Sequence, residues 1–317
     1  MRVVYFGTSP FAVPPLEALV ASARHDLVAV VTQPDRPAGR GLRAQPSPVK
    51  LRALAHGLPI LQPERVRRAP FPAELKGLAP DVLAVVSFGQ IIPESVLAIA
   101  PHGGVNVHAS LLPRWRGAAP IHRALMAGDA ETGVATMRME PTLDTGPIYR
   151  EARLPIGPDD TTSTLESTLA DLGARLLVET LDQMEAGGSD ATPQAEEGVV
   201  YAHRIEREDG CLDPIAETAD ALDRRIRALT PRPGTVLLLD GREIKVLHAA
   251  PEPGAGSPGT VIAAGKDGIR VATRDGVLRL IRVQPPGKPA MDAADYANGA
   301  RLAPGATASR PASTSTT

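Results

Sequence analysis

From its second residue to about residue 190 the chain alternates short apolar runs with stretches of helical spacing, and this alternation constrains the fold more than any other feature. RVVYFG precedes PPLEALVASA, and LVAVVTQ precedes SPVKLRALAHG. PILQP and PAELKGL lead into DVLAVVSFG, and PESVLAIA leads into GGVNVHAS. Near-continuous apolar strands need cover on both faces, the condition met by a parallel sheet between two helical layers. Ser47 followed by Pro48 reads as an N-cap and a first helical position. TGVATMRME and PIYREARLPI read as a strand pair at one edge of the sheet. A long helix follows, ended by Gly187 and Gly188. The expectation is an α/β fold with a Rossmann-like, mostly parallel sheet over residues 1–190.

The texture then changes. ADALDRRIRAL reads as a helix, and GTVLLLDG, EIKVLHA, GTVIAAG, GIRVATRDG and VLRLIRVQPPG read as short strands between Gly and Pro turns. Several short strands at close spacing predict a small β-barrel or sandwich. The predicted organisation is a first domain over 1–190, a linker over 191–207, a second domain over 208–305 and a disordered polar tail over 306–317. Aromatic residues are only 3% of the chain, too few for a platform that stacks single-stranded nucleic acid. The single cysteine, Cys211, leaves no internal disulfide to form and fits a reducing compartment. The start of the chain lacks a signal-peptide pattern, and no run approaches the ~18 apolar residues of a membrane span. A cytoplasmic monomer with no membrane association is expected.

Two stretches carry candidate chemistry. In Asn106-Val107-His108, period 2 puts the amide and the imidazole on one face of a strand, about 7 Å apart along it. An amide N–H can stabilise an oxygen gaining negative charge, and an imidazole can relay a proton near neutral pH. Asp144, in the loop EPTLDTGP, is the candidate acid to orient that imidazole. By themselves these residues remain open to a plainer reading, as a hydrogen-bonded strand end and a turn-capping aspartate. The first strand runs into Gly7-Thr8-Ser9-Pro10 rather than a glycine-rich dinucleotide fingerprint, so NAD binding is disfavoured. No HExxH or Cys-pair spacing suggests a metal site, and Ser110 beside His108 sits in no GxSxG elbow.

The stretches NVHASLLPRWRGAAPI and MRMEPTLDTGPI resemble the signature of the folate-dependent formyltransferases. RVVYFGTSPFAVPPLEAL, VVTQPDRPAGRG with SPVK, and the second domain extend the likeness to about residue 305, towards the branch that acts on charged initiator tRNA. The resemblance implies a Rossmann-like formyltransferase domain followed by a small barrel resembling an OB-fold. It implies transfer of the formyl group of 10-formyltetrahydrofolate to the α-amino group of methionine on initiator methionyl-tRNA, without a metal. Asn106, His108 and Asp144 match the family's catalytic Asn, His and Asp. Ser110, Leu111, Leu112 and Pro113 match its folate-contacting turn, with Phe88 and Gly89 lining the pterin pocket. The loop 33–43 matches an arm that reaches the tRNA acceptor end through Arg36, Arg40 and Arg43. Lys245, Arg270, Arg274, Arg279 and Arg282 are candidate tRNA backbone contacts, or equally an ordinary solvated face. The chain departs from the pattern at Leu212 and at Arg232-Pro233-Gly234, where an aromatic residue is common. Relatives acting on an amino sugar or glycinamide ribonucleotide would share the three catalytic residues without the arginine arm.

Overall fold

The apolar runs become strands: β1 (Arg2–Gly7), β2 (Asp26–Val31), β3 (Arg36–Ala38), β4 (Arg43–Gln45), β5 (Ile60–Leu61), β6 (Val82–Val86), β7 (Gly104–His108), β8 (Arg116–Gly117), β9 (Glu131–Arg138) and β10 (Ile148–Pro155). Helices α1 (Val13–Ala21), α2 (Pro48–Ala55), α3 (Phe71–Gly77), α4 (Glu94–Leu97), α5 (Pro120–Ala127) and α6 (Thr162–Glu185) separate them. The computed structural model describes residues 1–38, 43–188 and 190–312, with the backbone alone at 38 and 43. The chain clusters into two units. The first comprises Met1–Pro120, Glu131–Pro155 and Leu165–Ala202; the second comprises Ile121–Ala130, Ile156–Thr164 and the chain from His203.

In the first unit one sheet has the order β10-β9-β7-β6-β1-β2-β5. The strands from β7 through β5 pair in parallel, while β9 and β10 continue antiparallel at one edge. All five residues of β6 are buried, and so are Val3 to Phe6 of β1, as strands covered on both faces require. Edge strand β10 alternates half-buried and exposed residues instead. Ser47 caps α2 by accepting the Lys50 N–H at 3.0 Å, with Pro48 in the first turn.

Helix α6 lies close behind β7 and β9. A Cβ added at Gly173 would come within 2.7 Å of Val107 and 3.2 Å of Val134, so only glycine permits this approach. The buried Thr136 and Thr180 hydroxyls join β9 to the helix at 2.8 Å. Val107 therefore faces α6, and period 2 turns Asn106 and His108 to the opposite face. There their register partners are Met137 and Ala135, over which Leu112 packs.

The second unit contains α7 (Ala219–Leu229), with its N-cap Thr218 accepting the Ala221 N–H, and the strands β12 (Thr235–Leu239), β13 (Arg242–Glu252), β14 (Thr260–Gly265), β15 (Gly268–Ala272), β16 (Val277–Gln284), β17 (Met291–Asp292) and β18 (Ala308–Ser309); β11 (Tyr201–Ala202) precedes them in the first unit. Helix α8 (Ala293–Ala300) lies between β17 and β18. The sheet order is β14-β15-β16-β13-β12-β18, with β17 on β16, and every pairing is antiparallel. Its two ends meet: Val261 donates to the Ala306 carbonyl at 2.8 Å and Ala308 to that of Gly259 at 2.7 Å. The result is a curled antiparallel sheet whose two ends are joined through residues 305–308 into a small barrel.

Two expected boundaries change. Residues 306–312 are not a disordered tail, because Ala308 is fully buried and this segment closes the barrel. Residues 313–317 lie outside the described residues. Nor is 191–202 a free linker. Thr192 exchanges two 2.8 Å backbone hydrogen bonds with Ile148, and β11 pairs in parallel with β8.

Candidate active site

The site grows from the carboxyl end of β7, where ligands of open α/β sheets bind. His108 ends the strand with its side chain only 7% exposed. The chain then turns through Ser110, whose buried hydroxyl donates to the Arg114 carbonyl at 2.7 Å and closes the turn on itself. Trp115, at φ +66°, aims its carbonyl back at His108 Nε2, 2.9 Å away. A carbonyl can only accept, so Nε2 carries a proton and Nδ1 is the nitrogen free to gain or release one.

Asp144 faces that nitrogen, with Oδ2 3.7 Å from His108 Nδ1 and a side-chain exposure of 12%. This separation is too long for a direct hydrogen bond but leaves the carboxylate facing the imidazole nitrogen. Oδ2 also accepts the Gly117 N–H at 2.8 Å. Gly117 is required twice over: its φ is +123°, and a Cβ would stand 2.7 Å from the Ala202 carbonyl oxygen. The Asp144 backbone is itself in the left-handed region at φ +52°, a conformation that costs a non-glycine residue about 1–2 kcal/mol.

Gln194 offsets that strain. Its Nε2 donates to the carbonyls of Asp144 at 2.9 Å and Gly146 at 2.7 Å. Its Oε1 accepts from Arg116 Nε at 3.0 Å and Nη2 at 2.7 Å. Three consecutive residues thus fix the site: Trp115 holds His108, Arg116 holds Gln194, and Gly117 holds Asp144. Neither Arg116 nor Gln194 is singled out by the sequence, because the segment holding Gln194 reads as a polar linker. The pairing of RG at 116–117 with YA at 201–202 is the long-range feature that brings it in.

The remaining predicted residues divide. Asn106 shares the His108 face of β7 and is half-buried, so its amide remains partly accessible beside the imidazole. Leu112 is buried against Ala135 and Met137, while Leu111 and Pro113 are half-buried. With the Ser110 hydroxyl committed internally, this turn can offer a ligand only apolar surface and backbone groups. Phe88 does not line a pocket with its ring. Ser87, at φ +46°, turns the chain so that the ring is 2% exposed and packs edge-on against Phe6 at 5.2 Å. The Phe88 carbonyl instead accepts from Thr8 Oγ1 at 2.9 Å and Gln33 Nε2 at 3.1 Å, joining the ends of β1, β2 and β6. Gly89 is exposed at φ +86°, where a Cβ would stand 3.8 Å from Gln33 Nε2, and Ile91 leaves 84% of its surface to solvent. An apolar rim with free backbone groups suits a flat heterocycle.

On either side of the arginine-bearing tip, two short strands pair antiparallel, with Arg36 facing Gln45 and residue 38 facing residue 43; residues 39–42 lie outside the described residues. Its base is tied down: Asp35 accepts from Lys50 Nζ at 2.7 Å and Gln62 Nε2 at 2.8 Å. Those bonds, Lys50 first, hold the Asp35 carboxyl below its usual pKa. Arg36 is exposed, Arg43 is described by its backbone alone, and Arg40 lies outside the described residues. In the barrel, Glu252 clasps both Arg270 Nε at 2.8 Å and Arg279 Nε at 2.7 Å, and Arg282 lies 3.4 Å from Asp292. Lys245 and Arg274 are exposed with no ion pair among the described residues.

The carboxyl edge of the mostly parallel sheet thus carries an amide, an imidazole and a carboxylate, a set of groups able to serve proton relay and oxyanion stabilisation. The Formyl transferase family matches residues 1–181, and the family's C-terminal domain matches residues 204–301. The chain belongs to the formyl transferase family and is a transferase. It is 49% identical over 306 residues to a methionyl-tRNA formyltransferase from Thermus thermophilus, covering 96% of this chain and 98% of that one. It is 50% identical over 304 residues to one from Stenotrophomonas maltophilia, covering 95% and 98%. Among solved structures, HypX from Aquifex aeolicus in complex with tetrahydrofolic acid shares the fold, with a TM-score of 0.64 at 18% identity over 94% of this chain and 47% of that chain. Among the described residues no helix is long and apolar enough to cross a membrane.

Proposed function

We propose that this chain transfers the formyl group of 10-formyltetrahydrofolate to the α-amino group of methionine on initiator methionyl-tRNA, in the cytoplasm. The near-full-length identity to methionyl-tRNA formyltransferases supports the acceptor, and family membership supports a folate donor. The observation that carries the mechanism is the His108–Asp144 pair, held by the Trp115 carbonyl and the Gly117 N–H.

The methionyl nitrogen attacks the formyl carbon, and the carbonyl electron pair moves to oxygen. Asn106 supplies an N–H donor to that oxyanion, a contribution typically worth ~10²–10³ in rate. The nitrogen's surplus proton passes to His108 Nδ1, whose cation the Asp144 carboxylate stabilises. Collapse of the tetrahedral adduct breaks the bond from carbon to the folate nitrogen, and that nitrogen takes the proton from the imidazolium. The products are formylmethionyl-tRNA and tetrahydrofolate, with no covalent enzyme intermediate. The turn at 110–113 and the backbone at Gly89 supply the apolar surface and the backbone groups that hold the folate. Arg36, Arg40 and Arg43 supply the charge that grips the acceptor arm.

The test is formylation of charged initiator tRNA with 10-formyltetrahydrofolate, run beside an amino sugar nucleotide and glycinamide ribonucleotide. Turnover confined to the tRNA supports the reading, and turnover on a small acceptor alone contradicts it.

A further inference from the structure

We infer that Gln194 is a positioning residue for this reaction, acting through Asp144 by holding the 144–146 loop in the one conformation that faces His108. The inference rests on the roles proposed for His108 and Asp144.

The side-chain amide of Gln194 is fully used. Both N–H groups are spent on the Asp144 and Gly146 carbonyls, and the oxygen is gripped by two Arg116 nitrogens. Because arginine only donates, its grip fixes which end of the amide is oxygen and forces the NH₂ towards the two carbonyls. Asp144 sits in the left-handed region, which aspartate tolerates better than most residues but which still costs free energy that these hydrogen bonds offset. The strut itself is anchored on both sides: Thr192 is bonded to Ile148, and Tyr201–Ala202 pairs with Arg116–Gly117. The segment from 192 to 202 is therefore a brace, and Gln194 is the point where it touches the catalytic loop. A 1 Å error in the placement of a reacting group can cost about 10²-fold in rate, so this brace bears on turnover rather than on affinity.

Removing the brace leaves the fold in place. A solvent-open groove of about 490 Å³, lined by Arg116, Arg138, Thr145 and Gln194 together with apolar residues such as Pro147 and Val199, adjoins the side chain. Water can enter there and satisfy the freed carbonyls of residues 144 and 146. The loop then stays folded while losing its fixed conformation.

The experiment compares wild type, Gln194→Ala, Gln194→Glu, Asp144→Ala and the Asp144→Ala/Gln194→Ala double variant on charged initiator tRNA. Gln194→Ala lowers kcat by about 10- to 100-fold with KM for the tRNA within about threefold. Gln194→Glu keeps an oxygen for Arg116 but turns a carboxylate oxygen on two carbonyls, so it is impaired at least as much. The double variant is no slower than Asp144→Ala alone, because Gln194 acts only through Asp144. Hydrogen exchange at the Gly117 amide, which donates to Asp144 Oδ2, speeds up in Gln194→Ala while the β7 amides keep their protection. Wild-type kcat in Gln194→Glu, unchanged exchange at Gly117, or a multiplicative loss in the double variant would overturn the inference. Absence of wild-type turnover on charged tRNA would overturn the functional reading, and this inference with it.

Discussion

In the first unit the imidazole of His108 and the carboxylate of Asp144 are nearly buried and 3.7 Å apart, whereas in the barrel Arg270 and Arg279 clasp Glu252 with about a third of each side chain exposed. Both arrangements bring opposite charges together, yet they do different work. The barrel cluster shares one carboxylate between two guanidiniums across neighbouring strands β13, β15 and β16, and such partly exposed pairs contribute little to stability. The His108–Asp144 pair is left one step short of a hydrogen bond, on backbone that adopts positive φ at Trp115, Gly117 and Asp144. Strain of this kind persists only where the surroundings over-determine it, and here they do so through Gly117, Arg116 and Gln194. Proximity of charge alone does not set the two apart; the strained backbone under the His108–Asp144 pair and the proton position left open on His108 do.

The comparison breaks most visibly at the reacting groups. Asp144→Ala and Asn106→Ala should each lower turnover by about 10²-fold or more, while folate binding measured by calorimetry barely changes. A loss confined to binding would put both residues in recognition instead. Gly117→Ala forces a Cβ towards the Ala202 carbonyl at φ +123° and displaces the N–H that holds Asp144. Its kcat should fall at least about tenfold, the scale of a misplaced reacting group. It should also lose about 1–3 kcal/mol of stability in a denaturant melt.

How much of this was legible in the sequence depends on how local the cause is. The buried strands are readable because short, mostly β-branched apolar runs bounded by turns, as in β6, suit a strand covered on both faces. Asn106 and His108 could be paired by period 2, since β7 is regular up to its last residue. Phe88 could not be placed, because a single positive φ at Ser87 decides whether its ring enters the core or the cleft. Gln194 was hidden for a different reason. Its meaning comes from Arg116, 78 positions away, and ATPQAEEG has no periodicity to betray a partner. The stretch ATASRP at 306–311 looked disordered because alanine and serine carry little burial signal, although Ala308 completes a barrel.

Smaller effects sharpen the contrast on the barrel side. Ala308→Asp places an unpaired charge at a fully buried position and should cost about 2–4 kcal/mol in a thermal or urea melt. Below its unfolding temperature, kcat should remain near wild type, since no reacting group is touched. Arg40→Ala should cost one to two decades in kcat/KM on charged tRNA, as the loss of ~1.5–3 kcal/mol of charge-assisted contact implies. Lys245→Ala or Arg274→Ala should weaken tRNA binding a few-fold, with about 0.7–0.9 less dependence on log salt for each phosphate contact removed. Arg270→Ala, already committed to Glu252, should change KM for tRNA by less than about twofold. An Arg270 effect as large as that of Lys245 would erase the distinction between clasped and open cations.

The most direct test of the account is a single-turnover comparison of wild type and His108→Ala, with saturating 10-formyltetrahydrofolate and charged initiator tRNA. The account predicts rapid formation of formylmethionyl-tRNA by wild type and a rate at least about 10²-fold lower in the variant, with both substrates still bound. A variant rate within threefold of wild type would contradict it, because the proton would then be moving by a route that the His108–Asp144 pair does not serve.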